Sequence, residues 1–210
     1  MNTHNFSANH TGGDKSLLNY LKGSMMLLES LCHGHVAEDL SSNMNQAVQC
    51  VVNALSQGHP LLVCGNGGSA SDAMHIAGEL VGRFHINRKA YKVISLSSDP
   101  AILTCLANDF GYETVFERQV EAYGETGGVL LGISTSGKSP NVLRAFKKAQ
   151  DMGMTTIGLT GQGGHHDKMG GCDIILSVPS PSTPRIQEIH TCLYHYLCAR
   201  VEEALAATPH

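Results

Sequence analysis

Hydroxyl-bearing side chains are concentrated in one short segment of the sequence. Residues 132–139 read GISTSGKS, and four of them carry hydroxyl groups: Ser134, Thr135, Ser136 and Ser139. Short hydroxyls near a helix N-terminus, together with free backbone N–H groups and the helix dipole, form a binding site for one phosphate group. The segment therefore predicts a site for a small phosphorylated metabolite.

The same segment matches the P-loop pattern G-x-x-x-x-G-K-S of nucleotide-binding proteins. That pattern requires Lys138 and Ser139 in the first turn of a helix, but Pro140 follows directly. Because a residue before proline is disfavoured in the helical conformation, we expect Ser139 as the helix N-cap and Pro140 as the first helical residue. The helix then begins too late for a P-loop, and nucleotide hydrolysis is not expected.

A glycine-rich segment, CGNGGSASDAMHIAGEL, comes close to the fingerprint of dinucleotide-binding proteins through Gly65, Gly67 and Ala70. The fingerprint also needs an acidic residue about 20 residues after the glycines, at the end of the second strand. The first carboxylate at the end of the second predicted strand is Asp99, which lies 29 residues after Ala70. We therefore expect no nucleotide cofactor.

Three titratable residues are candidates for acid–base or metal chemistry. His75 and Glu79 are four residues apart and share one face of a helix. They could form half of a metal site, an acid–base pair or an exposed polar pair. His195 lies in the last helical segment, where a buried core histidine is the ordinary alternative. The residues alone leave these alternatives open.

Short apolar runs alternate with helix-like segments through most of the chain. Apolar residues at three- and four-residue steps predict helices from Ser16 and from Glu38. The apolar runs that follow are PLLVCG, YKVISLS, VLLGIS, TTIGLTG and DIILSVP. This alternation predicts an α/β three-layer sandwich with a five-stranded parallel sheet. A final long helix is expected, with Thr183 as its N-cap and Pro184 as its first residue.

Ligands of such sheets bind at the carboxyl ends of the strands, where the strand order reverses. The hydroxyl segment and the glycine-rich segment both leave predicted strand ends, so each is a candidate ligand loop. The alternative is that their glycines and serines only make tight turns.

The bulk composition sets further limits on function. A chain of 210 residues forms one domain of ordinary size, and polar residues 1–14 are expected to be a flexible tail. A net charge of −4 gives no electrostatic footprint for nucleic acid, and no apolar run approaches the 18 or so residues of a membrane span. Seven cysteines without a C-x-x-C pair indicate buried thiols, so a cytoplasmic location is expected.

Four motifs, in order and spacing, resemble the phosphoheptose isomerases of the sugar isomerase (SIS) superfamily: GNGGSASDAMHIAGEL, ANDFG, LLGISTSGKSPNV and RIQEIHTCLYH. The resemblance implies one flavodoxin-like SIS domain over residues 15–210, with oligomerisation helices over residues 15–58. It also implies a homotetramer with active sites at subunit interfaces. The implied reaction converts D-sedoheptulose 7-phosphate to D-glycero-D-manno-heptose 7-phosphate through a cis-enediol, as the first step of bacterial heptose biosynthesis for lipopolysaccharide or capsule.

The resemblance also assigns site residues. It makes Glu79 the catalytic base and His195 the catalytic acid. Zinc-bound members of the family use positions that match His75, Glu79, Gln187 and His195. The substrate is expected to contact Asn66, Gly67, Gly68, Ser69, Arg83, Asn108, Asp109, Ser134, Thr135, Ser136, Ser139 and Gln187.

Two positions depart from the family pattern. Pro184 stands where some members have an acidic residue, and Lys138 stands where several have asparagine, which adds a charge near the expected phosphate. The spacing of Gln187 and His195 limits how they can share a ligand. They are eight residues apart, or about 12 Å along one straight helix. They could converge on one small ligand only if the helix start bends or if more than one chain contributes.

Two other functions belong to the same superfamily. A non-catalytic SIS protein that regulates replication initiation lacks the glutamate and histidine of the catalytic pair, so Glu79 and His195 favour an enzyme. An isomerase of another phosphosugar remains an alternative.

Overall fold

The computed structural model of the protein describes residues 16–162 and 169–207, so the tail predicted for residues 1–14 lies outside the described residues. Two helices come first, α1 (Leu17–Ser30) and α2 (Gly34–Ser56). Both predicted helices are confirmed, although α2 begins one turn earlier than Glu38.

Five strands alternate with helices in the rest of the chain. The strands are β1 (Leu61–Gly65), β2 (Val93–Ser95), β3 (Val129–Ser134), β4 (Thr155–Thr160) and β5 (Ile174–Ser177). The helices are α3 (Gly68–Val81), α4 (Pro100–Phe110), α5 (Glu117–Tyr123), α6 (Pro140–Asp151) and α7 (Thr183–Ala206), and a short 3-10 helix, Tyr112–Thr114, lies between α4 and α5. The strands form one parallel sheet in the order β2-β1-β3-β4-β5. The predicted α/β architecture is confirmed.

Both faces of the sheet are covered, which explains why the strands are apolar throughout. Alternate residues of a strand point to opposite faces. Leu131 packs on one side with residues of α2, α3 and α7, while its neighbour Leu130 packs on the other side with residues of α5 and α6. Gly132 permits a close approach on the second side, because a Cβ there would lie 2.5 Å from Cζ of Phe146.

The first residues of α6 and α7 set where the preceding loops end. Ser139 is the N-cap of α6 and Pro140 is its first residue, as predicted. The prediction for α7 was wrong by one residue, because Ser182 is the N-cap and Thr183 is already helical. Of the helices in the described part of the chain, none combines the length and apolar character needed to span a membrane.

Candidate active site

The strand order reverses between β1 and β3, and the loops that follow these two strands therefore border a crevice. Their side chains are joined across it. Asn66 and Asn141 exchange two amide hydrogen bonds, each 2.9 Å long. The Tyr112 hydroxyl also donates to Oδ1 of Asn66 at 2.8 Å. The first loop is thus tied across the crevice to the first turn of α6, which follows the second loop, and to the 3-10 helix.

The first loop depends on small residues. Gly67 has a φ of +57°, in the region that favours glycine, and α3 starts at the next residue. A Cβ on Gly68 would lie 2.2 Å from Nε2 of Gln187, so the absence of a side chain at Gly68 lets the Gln187 amide pack against this loop. Ser69 is buried, and its N–H donates to the carbonyl of Asn66 at 3.0 Å.

The second loop brings three of the four predicted hydroxyls together. The Ser134 hydroxyl lies 2.9 Å from that of Ser139 and 3.4 Å from that of Ser136. Ser139 is the N-cap by position, but its side chain makes no capping bond to α6, so it remains directed toward the other hydroxyls. The carbonyl of Thr135 accepts from the N–H of Gly161 at 3.1 Å, which ties the loop to the end of β4. This is the arrangement expected for a phosphate site at a helix N-terminus.

A separate cluster is formed by His75, Glu79 and His195. One ligand atom from each residue lies within 4.8 Å of the others, so the three could hold a metal ion. Nε2 of His75 is 2.9 Å from Oε1 of Glu79, and the rings of the two histidines are 5.0 Å apart. Nε2 of His195 is buried and has no hydrogen-bond partner among the described residues. A buried nitrogen without a partner, beside a second imidazole and a carboxylate, suits a metal ion.

Electrostatics favour the uncharged form of His195. Burial lowers its pKa below the ordinary value, and the neighbouring His75 lowers it further, while Glu79 acts in the opposite direction. A neutral imidazole can accept a proton or bind a metal.

The crevice and the cluster are separate places in one chain. His75 and Glu79 lie seven and eleven residues after Gly68, which is about 10 and 16 Å along α3. The helix α7 is an unbroken α-helix, so Gln187, beside Gly68, is about 12 Å from the level of His195. The side chain of Gln187 thus packs against the first loop.

Comparison with known proteins places this architecture in a family. Residues 28–161 match the family model of the SIS domain. Over 169 residues the chain is 50% identical to a phosphoheptose isomerase of Helicobacter pylori, covering 80% of this chain and 88% of the relative. It is 43% identical to that of Burkholderia pseudomallei over 190 residues, or 90% of this chain and 95% of the relative. The chain belongs to the phosphoheptose isomerase family of SIS-domain proteins.

Solved structures of the family agree with this fold. The phosphoheptose isomerase of Neisseria gonorrhoeae superposes with a TM-score of 0.80 at 36% identity, covering 89% of this chain and 96% of that one. The phosphoheptose isomerase from Francisella tularensis gives 0.81 at 34% identity, with the same coverage.

The remaining residues expected from the phosphoheptose isomerase resemblance lie at the surface. Arg83 is exposed just beyond the end of α3. Asn108 and Asp109 are exposed in the last turn of α4, where the Asn108 amide donates to Oδ1 of Asp109 at 2.7 Å.

A buried ion pair, Glu202 and Arg88, joins α7 to the segment after α3. The Glu202 carboxylate is 1% exposed, and it accepts from three consecutive backbone N–H groups, at 2.9, 2.6 and 2.9 Å, those of Phe84, His85 and Ile86. Nε of Arg88 lies 3.2 Å from the same carboxylate. The Arg88 guanidinium also donates to the carbonyl of Glu79 at 2.9 Å and to that of Gly82 at 2.7 Å. This network ties the C-terminal end of α3 and the segment after it to α7.

Sequence reasoning missed four residues of the site region: Asp72, Tyr112, Asn141 and Tyr194. The hydroxyl of Tyr194 lies 2.9 Å from Nδ1 of His75 and 3.5 Å from Oδ1 of Asp72. The spacing of Asp72 from His75, three residues on one helix face, was a signal that could have identified it. The other contacts join residues far apart in the chain.

Proposed function

We propose that this protein is an aldose–ketose isomerase that converts D-sedoheptulose 7-phosphate to D-glycero-D-manno-heptose 7-phosphate, the first step of bacterial heptose biosynthesis. The observation that carries the proposal is the cluster of Glu79 and His195, a carboxylate beside a neutral imidazole, in a chain whose β3 loop gathers hydroxyls for a phosphate. Relatives that share 43–50% of their residues with this chain are named phosphoheptose isomerases.

The chemistry needs one proton moved between two carbons and another between two oxygens. Glu79 removes the proton from C1 of the ketose and returns it to C2, with a cis-enediol between the two steps. His195 moves the proton between O1 and O2, for which a neutral imidazole is suited. Each positioned acid–base group of this kind contributes roughly 10²–10⁴-fold to the rate.

Zinc is the metal that the donor set of the cluster fits best. Two imidazoles and one carboxylate are ordinary zinc ligands. His75, Glu79 and His195 would hold the ion, and Gln187 would complete the set. When bound, the ion supplies a Lewis acid that stabilises negative charge on the enediolate oxygens. In its role as base, Glu79 would act as a free carboxylate.

Gln187 would reach the cluster from a neighbouring subunit of a homotetramer. The rise of about 12 Å along α7 between Gln187 and His195 of one chain supports this arrangement. So does α1, in which no residue is buried and Leu17, Met25 and Met26 are each at least 66% exposed. Contacts from Tyr20 and Ser24 to Glu188 hold α1 on α7 and leave its apolar residues free to pack in an oligomer.

The proposal includes a cytoplasmic location. All seven cysteines are free thiols, as is usual in a reducing compartment, although the expectation of buried thiols is wrong for the exposed Cys32, Cys105 and Cys192. Burial raises the pKa of Cys64, Cys172 and Cys198 to about 12, so these three are unreactive packing residues.

The deciding experiment is incubation with D-sedoheptulose 7-phosphate, with and without added zinc, while NMR follows the aldoheptose phosphate. We expect product from the wild type and none from Glu79→Gln, which keeps the side-chain shape and should still bind the sugar phosphate. Glu121→Gln, on the exposed face of α5, is the matched control and should remain active. No product from the wild type in either condition would reject this substrate, and undiminished activity of Glu79→Gln would remove Glu79 as the base.

A further inference from the structure

The second ring nitrogen of His75 is engaged by residues that have no part in the chemistry above. Nδ1 of His75 lies 2.9 Å from the Tyr194 hydroxyl, and that hydroxyl lies 3.5 Å from Oδ1 of Asp72. We propose that Asp72 and Tyr194 are a positioning pair that holds His75 in the tautomer whose Nε2 can bind a metal ion. The inference rests on the metal site of the proposed function.

The fold brings the three side chains together from two helices. Asp72, His75 and Glu79 follow one another at three- and four-residue steps, so they share one face of α3. Tyr194 comes from α7, directly before His195. Its side chain is 3% exposed, and its ring is 5.4 Å from that of His75 and 4.9 Å from that of His195. Tyr194 is thus in contact with both histidines of the cluster and is shielded from water.

The chemistry of the three groups fixes the direction of their hydrogen bonds. An ionised carboxylate only accepts, so Asp72 requires the Tyr194 hydroxyl to donate to it. The tyrosine oxygen, which Thr191 also hydrogen-bonds, can then accept from Nδ1 of His75, and this direction places the proton of a neutral ring on Nδ1. Oδ2 of Asp72 is buried and has no hydrogen-bond partner among the described residues, where the Tyr194 hydroxyl is the side-chain donor to Oδ1.

This direction matters at the other ring nitrogen. Nε2 of His75 faces the Glu79 carboxylate at 2.9 Å, and two lone pairs at that distance need a cation between them, either a proton or a metal ion. Without Asp72, the Tyr194 hydroxyl is free to donate to Nδ1, and the proton of a neutral ring must then sit on Nε2, in the place of the metal. Asp72 and Tyr194 therefore favour the form of His75 that accepts a metal at Nε2.

The test measures metal affinity in the full-length protein, by competition for zinc against a chromophoric chelator. Removing an outer partner of a metal-bound histidine typically weakens metal binding by about 10–100-fold. We expect a loss of that size for Tyr194→Phe and for Asp72→Asn, which replaces an acceptor by a group that can also donate. Tyr196→Phe is the matched control, because Tyr196 lies two residues away on α7 and is 49% exposed. Its zinc affinity should equal that of the wild type.

A second readout separates positioning from a general loss of packing. With cobalt(II) in place of zinc, the visible absorption of the bound ion reports on the orientation of its ligands. We expect the spectrum to change in Tyr194→Phe and Asp72→Asn and to be unchanged in Tyr196→Phe. The double variant should bind zinc no more weakly than the single variant with the lower zinc affinity, because both residues act through His75.

The outcomes are distinguishable. A wild type that binds no zinc would remove the metal from the proposed function, and this inference with it. A wild type that binds zinc while Asp72→Asn and Tyr194→Phe bind it equally well would overturn the positioning pair alone. Should Tyr194→Phe fail to fold, judged by circular dichroism, Asp72→Asn decides the question, since Asp72 is only half-buried.

Discussion

The buried pair of Glu202 and Arg88 offers the sharpest test of how this fold holds its site. We predict that Glu202→Gln strongly destabilises the protein. The change keeps the shape of the side chain but removes its charge, and it turns an N–H group toward three backbone donors. It also leaves the Arg88 guanidinium, whose side chain is 6% exposed, without the carboxylate 3.2 Å away.

The expected loss follows from burial. Removing one partner of a buried ion pair costs about 3–5 kcal/mol, because the other charge stays buried and uncompensated. With a urea dependence of about 3 kcal/mol per M, the upper value for small proteins, the unfolding midpoint should fall by at least about 1 M. Glu203→Gln is the control on the next residue. Its partner Arg200 is 51% exposed, so its loss should be below about 1 kcal/mol.

The same pair predicts a pH dependence. Burial alone would raise the pKa of Glu202, but the N–H groups of His85, Phe84 and Ile86 and the charge of Arg88 outweigh it and hold the pKa below the ordinary value. A carboxyl with a lowered pKa contributes stability that is present above its unfolded pKa, about 4.5, and is lost as the pH falls through the lower folded value. The difference between wild type and Glu202→Gln should therefore shrink in acid.

Urea unfolding followed by circular dichroism measures these differences, with all proteins at one concentration because association adds to the apparent stability. A midpoint shift for Glu202→Gln no larger than that for Glu203→Gln would refute the reasoning. It would mean that the carboxylate is not the partner that holds Arg88 and the segment after α3.

Three further predictions concern the proposed phosphate site at Ser134–Ser139, the core and the proposed subunit interface. Ser136→Ala should weaken binding of sugar phosphate by about tenfold, the loss of one hydrogen bond to a charged group, and calorimetry giving an unchanged affinity would exclude this hydroxyl from the phosphate site. Gly132→Ala should cost about 1–3 kcal/mol in urea unfolding, since the added methyl lies 2.5 Å from Phe146, whereas Gly78→Ala, with no contact within 4 Å among residues 16–162 and 169–207, should cost nothing. Coexpression of Glu79→Gln with Gln187→Ala should restore activity at about a quarter of the sites of a mixed oligomer, and no recovery would argue that each site is built from one chain.

Local patterns were sufficient to predict the elements of the fold. The five apolar runs became the five strands, and the position of Pro140 fixed the start of α6. Such signals act over a few residues, so they can be recognised in a single sequence. The start of α7 was wrong by one residue because Ser182 and Thr183 are both good N-cap residues, and local chemistry does not choose between them.

The contacts that position the candidate site were not predictable in this way. Asn66 and Asn141 are 75 residues apart, and Tyr194 is 119 residues from His75. These pairings depend on the strand order and on α3 lying beside α7, which no local period encodes. The residues of the cluster were identified from their types and from the family resemblance. Their separation from the crevice could be judged only from their positions along α3 and α7.

The amide pair between Asn66 and Asn141 has a consequence for how the crevice meets a ligand. Ordering a flexible loop on binding costs entropy, and that cost is subtracted from the affinity for the ligand. Here the two loops and Tyr112 are already joined by side-chain hydrogen bonds in the chain alone. The ordering is therefore completed during folding, and a ligand that binds in the crevice, as we propose, would meet a template whose width is set before it arrives.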